Sequence, residues 1–592
     1  MDRFLKLYEL LINWLNKKFS AHQILVISSM LVGLTAGLAA VVLKTAVHYI
    51  HLVITHDYHI KYQYFLYLIF PSIGILLTVW FVQKYLKGKI GRGTANILHS
   101  IAKKSSFLPK DQMYSHLVTS ALTVGFGGSA GLEAPIVVTG SAIGSNFGKT
   151  HHINYKDRTL LLACGAAAGI AGSFNSPIAG VLFALEVLLV DVSISAFIPL
   201  IIAGATGGLL SKIILQEDTL FSFKLIQPFD YHNVPYYIML GLLAGLVSVY
   251  YARVYLKIDS FLKPKKKNVY GRALIGGLIL AILILFFPSL FGEGYESIKT
   301  LALLNPGKLF EHSILANLVS NKWLIVLFIL LTMFFKTIAA AVTIGSGGNG
   351  GNFAPSLFVG AYLGFAFAYI LNLLGITHAP VSNFTIVAMA GVLSGVFHAP
   401  LTAIFLIAEI TGGYELMIPL MIVSASSFTI SKYFEPYSMD IKRLAKKGHV
   451  FTSDKDRNIL TSLKISKVIE KDFQLVSPDA TLGALVEIVT HSKRNIFPVV
   501  ADEMLVGVIV LDNIREIMFK HEMYDKVYVK ELMRKPFATL APDEEMDSVM
   551  KKFDETGAWN LPVLDEGKYI GFISKSSIFV HYRSRLSRTT SE

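Results

Sequence analysis

Five stretches of this chain are apolar over about the length a helix needs to cross a bilayer: residues 24–52, 65–82, 234–255, 274–290 and 324–342. A helix needs ~20 apolar residues to span ~30 Å of hydrocarbon. Four further runs, residues 117–148, 160–190, 353–374 and 384–410, have that length but contain Gly and Pro. Such interruptions predict short, re-entrant or discontinuous helices. Irregular backbone at membrane depth is tolerated only when buried in protein or lining an aqueous path. The start, MDRFLKLYELLINWLNKKF, mixes apolar and basic residues and reads as an amphipathic interfacial helix, not a cleavable signal.

Charge follows the same division. Only 16% of residues are charged, against ~25% in an ordinary soluble domain. The net charge of +13 invites a nucleic-acid reading. Its distribution removes that reading. Residues 451–592 hold 20 basic and 22 acidic side chains, whereas residues 1–450 hold 34 and 19. The positive excess therefore lies between the apolar runs, where Lys and Arg mark cytoplasmic loops. The clusters are Lys84, Lys87, Lys89 and Arg92; Lys103 and Lys104; Lys263 and Lys265 to Lys267; and Lys442, Arg443, Lys446 and Lys447. The last leads into the soluble tail, which is thus expected in the cytoplasm.

The apolar part is internally repeated. Gly131-Leu132-Glu133-Ala134-Pro135, followed by Gly140 and Gly144, returns 220 residues later as Gly351-Asn352-Phe353-Ala354-Pro355 with Gly360 and Gly364. Phe174-Asn175-Ser176-Pro177 with Glu186 returns 223 residues later as Phe397-His398-Ala399-Pro400 with Glu409. Two related halves with Gly/Pro-broken helices point to a midplane site between them, usually with the halves inverted.

Both first motifs set a Gly-rich turn before Pro and an apolar run, the pattern of a helix start. A helix start leaves backbone N–H groups unpaired and carries about half a positive charge. Two of them converging would hold an anion without a full charge, so that the ion binds and still leaves. Glu133 sits in one start, where its carboxylate can take the anion's place and, once protonated, vacate it. The matching position in the other repeat is Phe353. Glu186 and Glu409 end apolar helices and read as residues that cap, pair with a basic residue or reach solvent, and not as proton carriers. Cys164, Met389 and His398 read as packing residues, and Phe174 and Phe397 as openings of buried helices.

Other chemistries lack their signatures. The 17 histidines show no metal spacing, and the glycines of 345–351 lack the Lys-Ser/Thr ending of a phosphate-binding loop.

Over roughly residues 20–445 the motifs resemble those of the CLC family of chloride channels and proton-coupled chloride transporters. GLEAP at 131–135 resembles the family's G-[KR]-E-G-P, GNFAP at 351–355 its G-x-F-x-P, and AAAGIAGSFNSPIAGVLFALE its characteristic segment. The resemblance implies a polytopic α-helical membrane protein with two inverted repeats, forming a homodimer with one anion pathway per subunit. It implies that Glu133 is the external gating glutamate. Gly131, Leu132, Asn352 and Phe353 then supply anion-binding backbone, and Tyr437 matches the inner-gate tyrosine. Two departures stand out. The family's G-S-G-I-P reads Gly91-Arg92-Gly93-Thr94-Ala95 here, which puts Arg92 at the anion-binding serine. The inner proton glutamate is replaced by Val187, leaving Glu133 alone on the proton path.

The tail carries its own repeat at an offset of 64: Pro478-Asp479, Pro498-Val499 and Gly507 return as Pro542-Asp543, Pro562-Val563 and Gly571. Each unit reads as a helix followed by alternating strands. The pair resembles tandem CBS domains, expected at 462–520 and 527–582. Such pairs often bind adenine nucleotides. Here the ribose-binding Asp positions hold Asn513 and Ser577, with Asp512 one residue early, and Val510 stands where the first unit's hydroxyl is expected. Structural or dimerising use is therefore favoured over nucleotide sensing.

The combined expectation is an integral membrane anion conductor at residues 1–450 with a small α/β cytoplasmic CBS pair at 451–592. It is most simply a chloride channel in the plasma (inner) membrane with both termini cytoplasmic. A proton-coupled antiporter and a conductor of fluoride, nitrate or bicarbonate are the alternatives. The reading requires no cofactor and no enzyme chemistry, and its partners are a small anion, the lipid bilayer and a second copy of the chain.

Overall fold

The computed structural model describes residues 20–445 and 463–591, apart from 56–59, 92, 152, 190–193, 217–227, 263–267, 311–312, 314–320 and 464. The expected interfacial helix at 1–19, Arg92 and the boundary near 450 lie outside the described residues. The chain divides into two units, Met1–Lys447 and Gly448–Glu592.

The first unit is built of helices: α1 (Ala21–Thr55), α2 (Ile60–Tyr85), α3 (Gly93–Lys103), α4 (Gln112–Gly125), α5 (Glu133–Thr150), α6 (Tyr155–Phe174), α7 (Pro177–Phe183), α8 (Ile194–Leu215), α9 (Val234–Phe261), α10 (Val269–Phe286), α11 (Tyr295–Ala302), α12 (Lys322–Gly345), α13 (Phe353–Leu373), α14 (Val381–Phe397), α15 (Pro400–Ile410), α16 (Met417–Phe434) and α17 (Met439–Ala445). Among the described residues, eight helical segments are long and apolar enough to cross a membrane. All five clear runs in the sequence overlap such segments, although 65–82 starts ahead of Leu68 and 274–290 runs past Phe286. Two more, Ala196–Leu215 and Met417–Lys442, were not expected. Gly204, Gly207 and Gly208 interrupt the first, and Ser424, Ser426 and Ser427 dilute the second. Both sets of small side chains serve close packing.

The repeat is visible atom by atom. Helix α5 lies along α6, and α13 lies along α14. A Cβ at Gly140 would stand 2.1 Å from the Gly165 carbonyl oxygen, and one at Gly144 2.0 Å from that of Leu161. In the second half, Gly360 meets the Ala388 oxygen at 2.5 Å and Gly364 that of Phe384 at 2.1 Å. The paired partners are themselves 223 residues apart, so one packing solution is used twice. Small residues let the backbones approach where lipid supplies no hydrophobic drive.

The breaks follow suit. Asn175 and His398 end α6 and α14 with φ of 56° and 55°, and Pro177 and Pro400 open the next helices. One expectation is corrected. Residues 353–374 are not broken: α13 runs continuously from Phe353. Pro355 falls in its first turn, where no intrahelical N–H is needed, and the glycines are packing contacts.

The second unit contains one four-stranded antiparallel sheet. Strands β1 (Ile496–Ala501), β2 (Met504–Val510), β3 (Asn560–Asp565) and β4 (Lys568–Ser574) lie in the order β1-β2-β4-β3. Each hairpin turns through two residues, Asp502-Glu503 or Glu566-Gly567, all at positive φ as right-twisted strands favour. Helices Leu482–His491 and Met546–Thr556 supply the α layer. Their apolar faces close two separate cores, one around Phe497 and Val499, the other around Leu561 and Val563.

Candidate functional site at the junction of the repeats

The two helix starts identified in the sequence meet. Gly131 N–H donates to the Gly351 oxygen at 2.9 Å, and Gly351 N–H returns the bond at 2.7 Å. This antiparallel bridge sets the first turn of α5 beside that of α13. A small cavity of about 20 Å³ opens there. Its lining includes Gly93 and Thr94 from the start of α3, Ala134, Asn349 to Asn352 and Phe397. The chamber has room for about one small ion or water.

Glu133 is buried, 2% exposed. Its Oε1 accepts a hydrogen bond from the Tyr295 hydroxyl at 2.5 Å. Its Oε2 makes no hydrogen bond, although it faces the Ala354 amide and packs against Gly131, where a Cβ would stand 2.0 Å from it. The carboxylate therefore lies across the seam between the repeats, and only glycine at 131 leaves it room. Phe353 is also buried, with its ring 4.4 Å from Phe397 and 5.6 Å from Phe183. Asn352 is fixed by the Tyr251 hydroxyl, which donates to its Oδ1 at 3.1 Å. Leu132 is the residue immediately before α5, and its side chain is buried.

Gly131, Leu132, Glu133, Asn352 and Phe353 are thereby brought together. Tyr437, half-buried in the turn before α17, is not among the residues lining the cavity. Tyr255 and Asp440 line it instead, and sequence reasoning singled out neither. Behind the cavity Asn349 is held by a buried polar cluster. Its Nδ2 donates to Thr119 Oγ1 at 2.7 Å and lies 3.1 Å from His116 Nδ1.

Sequence reasoning also missed the segment that covers Glu133. Phe291-Gly292-Glu293-Gly294 precedes α11 and delivers Tyr295 to the carboxylate. Its anchor is Lys336 of α12, wholly buried, whose Nζ donates to the Gly292 oxygen at 3.1 Å and lies 4.7 Å from the Phe358 ring centre. The signal was available: a lysine inside an apolar, bilayer-length run is costly and marks a functional candidate.

Val187 sits half-buried in a single π-helical turn, Ala184–Leu188. The neighbouring Glu186 caps, the first of its three expected roles, but it caps the other repeat. Its oxygens accept from the N–H groups of Leu401 and Thr402 at 3.1 and 2.9 Å. Glu409 accepts from those of Ile178 and Ala179 at 3.1 and 2.9 Å. Each half thus caps the Pro-led helix of its counterpart.

In the second unit Ser577, Asp512 and Ser574, which stands at the second unit's hydroxyl position, are engaged internally. Ser577 Oγ donates to the Val468 oxygen at 2.6 Å, Ser574 Oγ to Glu470 at 2.7 Å, and Asp512 pairs with Arg515.

Converging helix starts around a buried carboxylate, within a bundle of bilayer-length helices, define a membrane protein that moves small anions. The family model described as voltage gated chloride channel matches residues 73–432, and the CBS domain model matches 465–520 and 529–583. The chain belongs to the CLC family, with a CBS pair appended, and anion transport across a membrane is that family's activity. A ClcB-like chloride channel protein of Ralstonia nicotianae is 28% identical over 385 residues, 64% of this chain and 85% of that protein. Chloride channel protein CLC-f of Arabidopsis thaliana is 26% identical over 552 residues, 80% of this chain and 68% of that one. The crystal structure of a slow cyanobacterial Cl⁻/H⁺ antiporter shares the fold, with a TM-score of 0.62 at 21% identity, covering 73% of this chain and 99% of that one.

Proposed function

We propose that this chain is a passive chloride channel whose gate is Glu133. The observation that carries the reading is the buried carboxylate lying across the Gly131–Gly351 seam, with one oxygen unpaired toward the helix start of the opposite repeat. An ionised Glu133 fills the amide cradle that a chloride ion needs. Protonation removes the charge that holds it there, and the side chain leaves. Gly131, Leu132, Asn352 and Phe353 supply the backbone of that cradle. Tyr437 and Arg92 act toward the cytoplasm, where Arg92 attracts the incoming ion.

Val187 supports passive conduction, because valine cannot carry a proton inward from Glu133. The protein works as a homodimer in the plasma membrane, with both termini and the CBS pair in the cytoplasm. The pair serves assembly and not nucleotide sensing, a reading supported by the internal bonds of Ser577 and Ser574.

Anion efflux from liposomes with simultaneous proton recording tests the proposal. Chloride efflux without stoichiometric proton movement is expected, and Glu133→Gln, which mimics the protonated gate, should flatten the pH dependence. A reproducible shift of reversal potential with a pH gradient overturns passive conduction in favour of proton-coupled exchange. Competition flux in wild type and Arg92→Ser tests the ion. Poor chloride permeation in both, with strong fluoride, nitrate or bicarbonate flux, overturns chloride as substrate. Loss of all flux on deleting residues 451–592 overturns an accessory role for the tail.

A further inference from the structure

One wall of the anion cavity is held by a histidine outside both repeated motifs. His116 lies on α4, wholly buried, and Asn349, which lines the cavity, is buried beside it. The protons between them follow from the oxygens around them. Thr119 Oγ1 stands 2.6 Å from the Ser115 carbonyl oxygen. Two oxygens that close need a hydrogen between them, and only the threonine has one to give. Toward Asn349, 2.7 Å away, the same hydroxyl therefore accepts. That makes the Asn349 atom facing it the amide nitrogen. The same nitrogen lies 3.1 Å from His116 Nδ1, so Nδ1 must accept as well. His116 is thus a neutral imidazole with its proton on Nε2, which faces the Gly91 backbone without a well-formed hydrogen bond.

The offset of 220 carries this frame into the other half, where it is incomplete. Asn349 N–H donates to Thr123 Oγ1 at 3.0 Å, and its counterpart Ser129 N–H donates to Thr343 Oγ1 at 3.2 Å. Each turn is therefore tied to the opposite repeat through one backbone donor. The side-chain bonds are not repeated. Lys336 stands at the place of His116, Ala339 at that of Thr119 and Ser129 at that of Asn349. Ser129 Oγ makes no hydrogen bond among the described residues, and Lys336 Nζ turns to the Gly292 oxygen. The extra brace thus lies behind residues 349–352, in the half that carries Phe353. The turn leading to Glu133 lacks it.

That asymmetry suits the two sides of the seam. A side chain that must leave its seat needs give around it, whereas an ion of one size needs a fixed wall opposite. Such a wall is held by hydrogen bonds behind the residues that touch the ligand. We propose that His116, through its Nδ1 acceptor and Asn349, is a positioning residue that fixes the 349–352 wall of the cavity and so sets which anions fit. With a cavity of about 20 Å³, a wall that yields by a fraction of an ångström admits a larger anion. The inference rests on reading the seam as the anion site.

Nitrate and chloride efflux from liposomes holding the full chain tests it. Asn carries an acceptor oxygen near the position of Nδ1, whereas the Gln amide reaches the position of Nε2 and leaves that of Nδ1 empty. His116→Asn should keep the nitrate-to-chloride ratio within ~2-fold of wild type, and His116→Gln should raise it by at least ~3-fold, the scale of one lost neutral hydrogen bond. A role in packing alone would not separate the two variants. Nitrogen NMR of protein with isotope-labelled histidine reads the tautomer without any flux, and stays informative if His116→Gln does not fold. The signals missing from His116→Asn should be those of a bare Nδ1 and a protonated Nε2. A protonated Nδ1, or a ratio that the two variants change alike or leave alike, overturns the brace alone. Wild-type protein that moves neither anion overturns both this inference and the reading beneath it.

Discussion

Replacing Tyr295 by Phe removes the hydroxyl that donates to Glu133 and keeps the ring. The Phe174 ring, 6.5 Å away in an edge contact, keeps its neighbour, and the new side chain fills the same volume. The bond lost is the 2.5 Å contact from the tyrosine hydroxyl to Glu133 Oε1. A hydrogen bond to an ionised group contributes about 1.5–3 kcal/mol net. It favours the charged carboxylate over the neutral acid, so losing it makes Glu133 easier to protonate. One pH unit corresponds to ~1.4 kcal/mol, and the midpoint of acid activation should therefore rise by about 1–2 units. Two pH units above the wild-type midpoint, a gate needing one proton is ~1% open. A one-unit shift makes it ~10% open, an increase of about tenfold in flux. The assay is initial chloride efflux from liposomes across the pH range, scaled to the acid plateau. An unmoved midpoint, or one that moves down, at a wild-type plateau would refute the assignment of Tyr295 as the clamp on the gate.

Three further outcomes concern stability. Gly140→Ala drives a methyl into the Gly165 carbonyl between α5 and α6; overpacking here should cost about 3 kcal/mol or more, read as loss of folded protein in detergent. Glu409→Ala leaves the Ile178 and Ala179 amides without their cap and should cost about 1–2 kcal/mol, seen as a lower melting temperature with unchanged anion selectivity. Arg494→Ala removes the guanidinium that contacts Asp472 and Glu470 and lies 4.8 Å from the Phe473 ring centre, and should destabilise the tail by about 1 kcal/mol. Arg494 also holds the Asp472 carboxyl below its ordinary range, so this stabilisation is present above pH ~4 and fades as Asp472 takes its proton. Hydrogen exchange of the tail should thus separate variant from wild type at pH 7 more than at pH 3.

Much of the site was legible because the chain states it twice. Gly131 and Gly351, Glu133 and Phe353, and the glycine pairs at 140/144 and 360/364 recur at one offset, and repetition reveals a frame that either half alone would hide. Legibility stopped where contact is purely tertiary. Tyr295 lies 162 residues from Glu133, outside both motifs, on a segment whose sequence gives no hint of what it covers. Lys336 was hidden by the strength of the apolar run around it, although that run is what makes the lysine costly. Tyr255 and Asp440 reach the cavity from α9 and α17, which show no repeat at all. The misreading of 353–374 as broken has a narrower cause. Pro and Gly within an apolar run mark either a break or a helix start followed by close packing, and only the neighbouring backbone decides between them.

The exchange of Glu186 and Glu409 also constrains how the protein is made. When the ribosome has finished the first half, the amides of Ile178 and Ala179 are already in place, and the carboxylate that will satisfy them, more than two hundred residues further along the chain than they are, is still to be synthesised. The first half must wait, unfinished, for the second, and the second completes itself only against the first. Neither repeat caps its own Pro-led helix, so an insertion machinery that released the early helices into lipid before Glu409 emerged would release them with their helix starts bare.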